Sequence, residues 1–201
     1  MKWVKQSIHY WCPDTKEHKF LGQNVTVAIL DTGISPHPDF KDRILSFRDF
    51  SSTTGSSEKV LFSFSHFSPL IDNSGHGTHV AGILAGSGLL SSGTYAGIAP
   101  FCNLIIGKVL DQNGNGSIKN VINGIQWIRD IYTQFHIRII NISVGTRPDL
   151  SIHQKLLLLN AVESLWDLGL VVVVSAGNYG PAPGSVTVPG SSPKVITVGV
   201  P

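Results

Sequence analysis

The sequence predicts an α/β fold: three layers, a mostly parallel β-sheet with helices on both faces. Three observations predict it. Apolar runs rich in Val, Ile and Leu recur at 25–31, 104–110, 137–144, 170–176 and 195–199, the composition of strands buried on both faces. Between several of these runs lie segments whose apolar residues recur every three or four positions, the period of a helix. Strands and helices alternate, as they do in parallel sheets built from crossover units.

Taken in order, residues 1–24 are mixed and weakly patterned, and an N-terminal arm on the surface is expected, with Trp3, Tyr10, Trp11 and Phe20 available to cover an apolar patch. Gly22-Gln23-Asn24 turns the chain into the first core strand, 25–31, and 44–50 alternates weakly as a second strand. Residues 51–69 read as a surface loop, in which Phe62, Phe64 and Phe67 alternate with polar residues as in a short edge strand. Asp72-Asn73-Ser74-Gly75 is turn-prone, and small and apolar residues run from His76 to Ala85, so a loop becomes a helix with His76 in its first turn. After the strand at 104–110, Asp111 to Gly116 forms a turn and Ser117 fits a helix N-cap. Ile118, Val121, Ile122, Ile125, Ile128 and Ile131 then line one helix face. Ile152, Leu156, Leu159, Val162 and Trp166 step the same way between the strands at 137–144 and 170–176.

Composition sets the bounds. At 201 residues the chain is long enough for one sizeable core, and 42% hydrophobic against 14% charged residues predicts that much of it is buried. A net charge of +2 with scattered basic residues argues against a polyanionic partner, and no nucleic-acid motif is present. No apolar run approaches the roughly 20 residues that cross a bilayer, so no membrane partner is expected. Met1 to Phe20 has no apolar segment of the secretory type. Cytoplasmic residence is the expectation, or secretion if the true N-terminus lies elsewhere. Cys12 and Cys102 do not make a disulfide framework, and Cys102 is expected to pack as a small apolar residue.

The chemistry concentrates at three places. Asp31 ends the first apolar strand in Asp31-Thr32-Gly33, and Asn178 follows another in Ser175-Ala176-Gly177-Asn178. The carboxyl ends of parallel strands are where open α/β sheets place their chemistry. His76 stands between Gly75 and Gly77, which leave the backbone beside its imidazole clear of side chains. An aspartate that orients an imidazole, a histidine that serves as general base and then general acid, and an asparagine that donates to an oxyanion together suit attack on a carbonyl. His76 and His79, three apart near Asp72, suggest zinc, but the zincin pattern His-Glu-x-x-His lacks its glutamate here, and no metal site is expected.

Asp31-Thr32-Gly33, His76-Gly77-Thr78-His79 and Ser175-Ala176-Gly177-Asn178 resemble, in order and spacing, three of the four signature motifs of the subtilases, the subtilisin-like serine peptidases. The resemblance runs from about residue 25 to residue 201 and includes Gly97-Ile98-Ala99-Pro100 and Lys108-Val109-Leu110. It implies a serine endopeptidase acting on protein or peptide substrates, with Asp31 and His76 in the triad and Asn178 in the oxyanion hole. It also implies that Ser143, Val144 and Gly145 pair with the substrate backbone, and that Ser175, Ala176 and Gly177 form the facing wall of the cleft.

The family's Gly-Thr-Ser-x-Ala nucleophile run is absent from the 201 residues, and Ser185, Ser191 and Ser192 lie in no such run. The expectation is a peptidase domain over 25–201 that stops before its nucleophile, is inactive alone, and depends on a missing C-terminal segment, with a propeptide as a further partner. The alternative is a truncated chain or pseudo-peptidase that at most binds peptides or partners. In some subtilases the residue matching Asp39 helps bind calcium, but 86–95 offers no Asp, Asn or Glu, so no cofactor is expected and structural calcium is not supported.

Overall fold

The computed structural model describes residues 2–8, 10, 20–51, 60–61, 72–147 and 149–200. Trp11, Cys12 and the Phe62–Phe67 edge strand expected from the sequence lie outside them. The elements run α1 (Lys2–Ser7), β1 (Thr26–Asp31), β2 (Ile44–Asp49), β3 (Val60–Leu61), α2 (His76–Ala85), β4 (Asn103–Lys108), α3 (Ile118–Ile131), β5 (Ile137–Ile142), α4 (Ile152–Asp167), β6 (Val171–Ser175) and β7 (Ile196–Val198). The order across the sheet is β3-β2-β4-β1-β5-β6-β7. Every pairing is parallel except β2 with β3.

The topology explains where the chemistry sits. β1 is central, with β4 on one side and β5 on the other. The crossover from β4 through α3 to β5 steps over β1, so later strands extend the sheet in the opposite direction. The strand order reverses at β1, and such switch points open a crevice at the carboxyl ends of the strands. Because β1, β5 and β6 are parallel, Asp31 and the segments after Ile142 and Ser175 emerge on one edge of the sheet.

Side-chain alternation in the strands divides the core into two layers. Ala28, Leu30, Ile105, Ile140, Val172 and Val174 pack with α3 and α4 on one face. Val27, Ile29, Leu104 and Ile106 pack with Ala81 and Ala85 of α2 on the other. Helices therefore cover both faces, as expected from the sequence. On the α2 side, Val171, Ile196 and Val198 remain exposed toward the β7 edge.

The second long helix differs from its sequence reading in which face it buries. α4 forms over the expected span, and of the expected stripe Val162 is buried and Leu159 packs against the core, but Ile152, Leu156 and Trp166 are exposed and Leu158 and Leu165 are buried in their place. The run Leu156-Leu157-Leu158-Leu159 supplies apolar residues around most of the helix, so periodicity could not choose the stripe that packing selects. α4 begins with a reciprocal cap. Gln154 N–H donates to the Ser151 hydroxyl at 3.2 Å, and the Gln154 side chain accepts from Ser151 N–H at 3.2 Å. Ser151→Ala is expected to lower unfolding free energy by about 1 kcal/mol in a denaturant titration. At the other end of the chain, the expected arm contains α1, and the Tyr10 hydroxyl donates to the Ile98 carbonyl at 2.9 Å.

Candidate active site

Asp31 is the last residue of β1 and is fully buried, at 0% exposure. Its main-chain carbonyl accepts from Val109 N–H at 2.9 Å and Leu110 N–H at 3.2 Å, which anchors the strand end to the chain leaving β4. Its Oδ1 accepts from Thr32 N–H at 2.6 Å and meets His76 Nδ1 at 2.7 Å. Opposite Asp31 in the register is Lys108, a buried lysine whose ammonium donates to the carbonyls of Thr32 and Leu110. It braces the turn that carries Asp31.

His76 opens α2 after Gly75, which adopts a left-handed conformation at φ 81°. Its ring is half-exposed, at 54%, while the carboxylate it touches is sealed from solvent. A carboxylate can only accept, so Nδ1 carries the proton in this contact, and in that tautomer Nε2 is the basic nitrogen. Gly77 makes the contact geometrically feasible. A Cβ there would lie 2.3 Å from the Gly33 carbonyl oxygen and 3.2 Å from Asp31 Oδ1.

A second carboxylate lies behind this pair. Asp72, 8% exposed, accepts at Oδ1 from the Thr32 hydroxyl at 2.8 Å and Gly75 N–H at 2.9 Å. Its Oδ2 accepts from Thr78 N–H at 2.8 Å and the Thr78 hydroxyl at 2.5 Å. Burial pushes the Asp72 carboxyl up, but the hydrogen bonds from Thr78, Thr32 and Gly75 outweigh it and hold the group below its ordinary value. The roles of Asp72 and Lys108 escaped the sequence reading. The available signals were an aspartate just before a helix start, and one lysine in the otherwise apolar run 104–110.

The other expected residues gather at the neighbouring strand ends. The Ser143 hydroxyl accepts from Asn141 Nδ2 at 2.7 Å, Val144 is buried and Gly145 is exposed. Ser175 ends β6, followed by Ala176 and Gly177, the latter at φ 95°. The two segments meet: a Cβ on Gly145 would lie 3.3 Å from the Gly177 Cα. Asn178 follows directly and is exposed. Of the three serines considered in the sequence, Ser192 donates to Glu163 of α4 at 2.8 Å and is buried.

Among the described residues, no group of three or more His, Cys, Asp or Glu is gathered as a metal site, and His79 is exposed. The Asp39 carboxylate accepts from Gly88 N–H at 2.9 Å and Leu90 N–H at 3.2 Å. Beside it, the Arg43 guanidinium donates to the carbonyls of Asp39, Ala85 and Cys102. Cys102 is wholly buried in the α2-side layer, and burial pushes its thiol up to about 11, so it packs as a neutral, compact side chain.

Comparison with known proteins places the chain in a family. The model of the subtilase family matches residues 22–200. Serine protease AprX of Bacillus subtilis (strain 168) is 43% identical over 183 residues, which are 89% of this chain and 38% of that protein. The Major intracellular serine protease of the same strain is 37% identical over 161 residues, 79% of this chain and 44% of its own length. Among solved structures, Sphericase superposes with a TM-score of 0.73 at 29% identity, covering 88% of this chain and 53% of that one. The chain thus spans about half or less of the length of these proteins. With the match extending from residue 22 to residue 200, and the fold shared with Sphericase, the chain belongs to the subtilase family.

Proposed function

We propose that this chain carries the acid–base pair and the oxyanion asparagine of a serine endopeptidase whose nucleophilic serine is supplied from outside these 201 residues. The observation that carries the reading is the 2.7 Å contact between the buried Asp31 carboxylate and Nδ1 of a half-exposed His76. In this mechanism, His76 Nε2 takes the serine proton as the serine oxygen attacks the peptide carbonyl. Asp31 holds the ring in its working tautomer and stabilises the imidazolium. The Asn178 amide donates to the oxyanion. The C–N bond then breaks as His76 returns the proton to the leaving amine, and water releases the acyl group by the same route. Ser143 to Gly145 add to the substrate backbone as a strand, with Ser175 to Gly177 as the facing wall. The exposed Val171, Ile196 and Val198 support a further segment packing on the α2 side of the sheet.

The test is to supply, fused or in trans, a C-terminal segment bearing Gly-Thr-Ser-x-Ala. Peptide hydrolysis is expected to appear. A folded, soluble complex with no turnover favours the reading in which the chain only binds peptides.

No calcium enters this proposal. The loop at 86–95 is tied to the core by the Asp39 carboxylate, which accepts from Gly88 and Leu90 N–H, and the neighbouring Arg43 guanidinium joins the carbonyls of Asp39, Ala85 and Cys102. Arg43→Ala strands those carbonyls and is expected to cost about 2–3 kcal/mol of stability, whereas adding a chelator to the unmodified chain leaves the melting temperature unchanged. A melt that drops on chelation would show that a cation is bound after all.

A further inference from the structure

We propose that Asp72 is a positioning residue for the Asp31–His76 pair, fixing the end of β1 against the start of α2 through two hydroxyl relays. The proposal rests on the reading of Asp31 and His76 as the acid–base pair. Those two residues lie on separate elements, 45 positions apart in the chain. Their mutual hydrogen bond is 2.7 Å long, and the imidazole it holds is 54% exposed.

The relays are directional. The Thr32 hydroxyl accepts from Gly77 N–H at 2.9 Å, and the Thr78 hydroxyl accepts from Ser35 N–H at 2.9 Å. Each hydroxyl has one proton, and both protons go to Asp72, at 2.8 and 2.5 Å. One relay joins the residue after Asp31 to the residue after His76. The other joins Ser35, in the loop beyond β1, to the second residue after His76. Both close only on a group that accepts at each oxygen. Gly75 N–H and Thr78 N–H also point one at each oxygen, so an asparagine fails in either orientation because its NH₂ would face a main-chain N–H. The low-lying carboxyl of Asp72 agrees with a site built for the anion. Shifts of about 1 Å at reacting groups cost on the order of 10²-fold in rate, so a clamp at this position acts on catalysis without touching substrate.

The experiment uses the 201-residue chain labelled with ¹⁵N-histidine. The far-downfield Nδ1–H proton of His76 is observed by NMR and assigned by its loss in His76→Ala. Asp72→Asn is expected to accelerate exchange of that proton at least tenfold, or broaden it away, while the amide spectrum stays dispersed. Thr32→Val, which removes one relay, is expected to do the same, and Thr32→Ser to restore the wild-type signal. A folded Asp72→Asn chain with a wild-type Nδ1–H signal overturns the proposal. If Asp72→Asn does not fold, a wild-type signal in Thr32→Val overturns it instead. Asp31→Asn separates the two levels: should it also leave the signal unchanged, the Asp31–His76 pairing itself fails, not only the clamp.

Discussion

Replacing His76 by alanine in the serine-completed enzyme is expected to lower kcat on the order of 10⁴-fold or more, with KM little changed, a size taken from triad removals in serine peptidases, subtilisin among them, rather than from this structure. The direction follows from the site. Without the imidazole no group is positioned to take the serine proton, while Asn178 and the cleft walls still bind, so the loss falls on the chemical step. Stability should move far less than activity, because the ring is 54% exposed and, among the described residues, its hydrogen bond is the one to Asp31. Steady-state kinetics alongside a thermal melt checks both halves. Turnover retained in a correctly folded His76→Ala enzyme would remove the residue from the mechanism.

Gly77→Ala is expected to damage both the fold and the pair. The new methyl would stand 2.3 Å from the Gly33 carbonyl oxygen, 3.1 Å from Gly33 N and 3.2 Å from Asp31 Oδ1. These are main-chain atoms and a buried carboxylate, none of which can swing aside as the tip of a flexible side chain could. Relief requires the start of α2 to move off the turn after β1, carrying His76 with it. Overpacking typically costs about 1–3 kcal/mol, and a clash with backbone belongs at the upper end of that range. Gly82→Ala on the same helix is the control. A Cβ there meets nothing within 4 Å, so alanine's better helix propensity should leave the protein as stable or up to about 1 kcal/mol more so. Equal denaturation midpoints for the two variants would show that the close approach at Gly77 carries no weight.

The elements and the motif residues were legible because each depends on local chemistry. Ser117 caps α3 with its hydroxyl accepting Asn120 N–H at 3.1 Å, as a serine before an apolar periodic run should. Val121, Ile125 and Ile128 face the core along the stripe that their spacing predicts. β1, β4 and β5 lie within a residue or two of the apolar runs that announced them. Asp31 and His76 could be paired from their settings, one at a buried strand end and one at a helix start between glycines.

The sequence by itself determined the alternation of strands and helices, the helix starts, and which residue types stand at the carboxyl ends of the strands, because period, capping and burial preference are properties of short segments. The tertiary structure alone decided that α4 buries Leu158 and Leu165 beside Val162 and leaves Ile152, Leu156 and Trp166 exposed, since four consecutive leucines leave that choice to the partner surface. It also decided that Asp72 receives the protons of Thr32 and Thr78, and that Lys108 braces the turn at Thr32. Those contacts join segments 40 and 76 positions apart at their widest. No local rule contains them, because a buried polar group's partners are set by which chain ends the sheet order brings together.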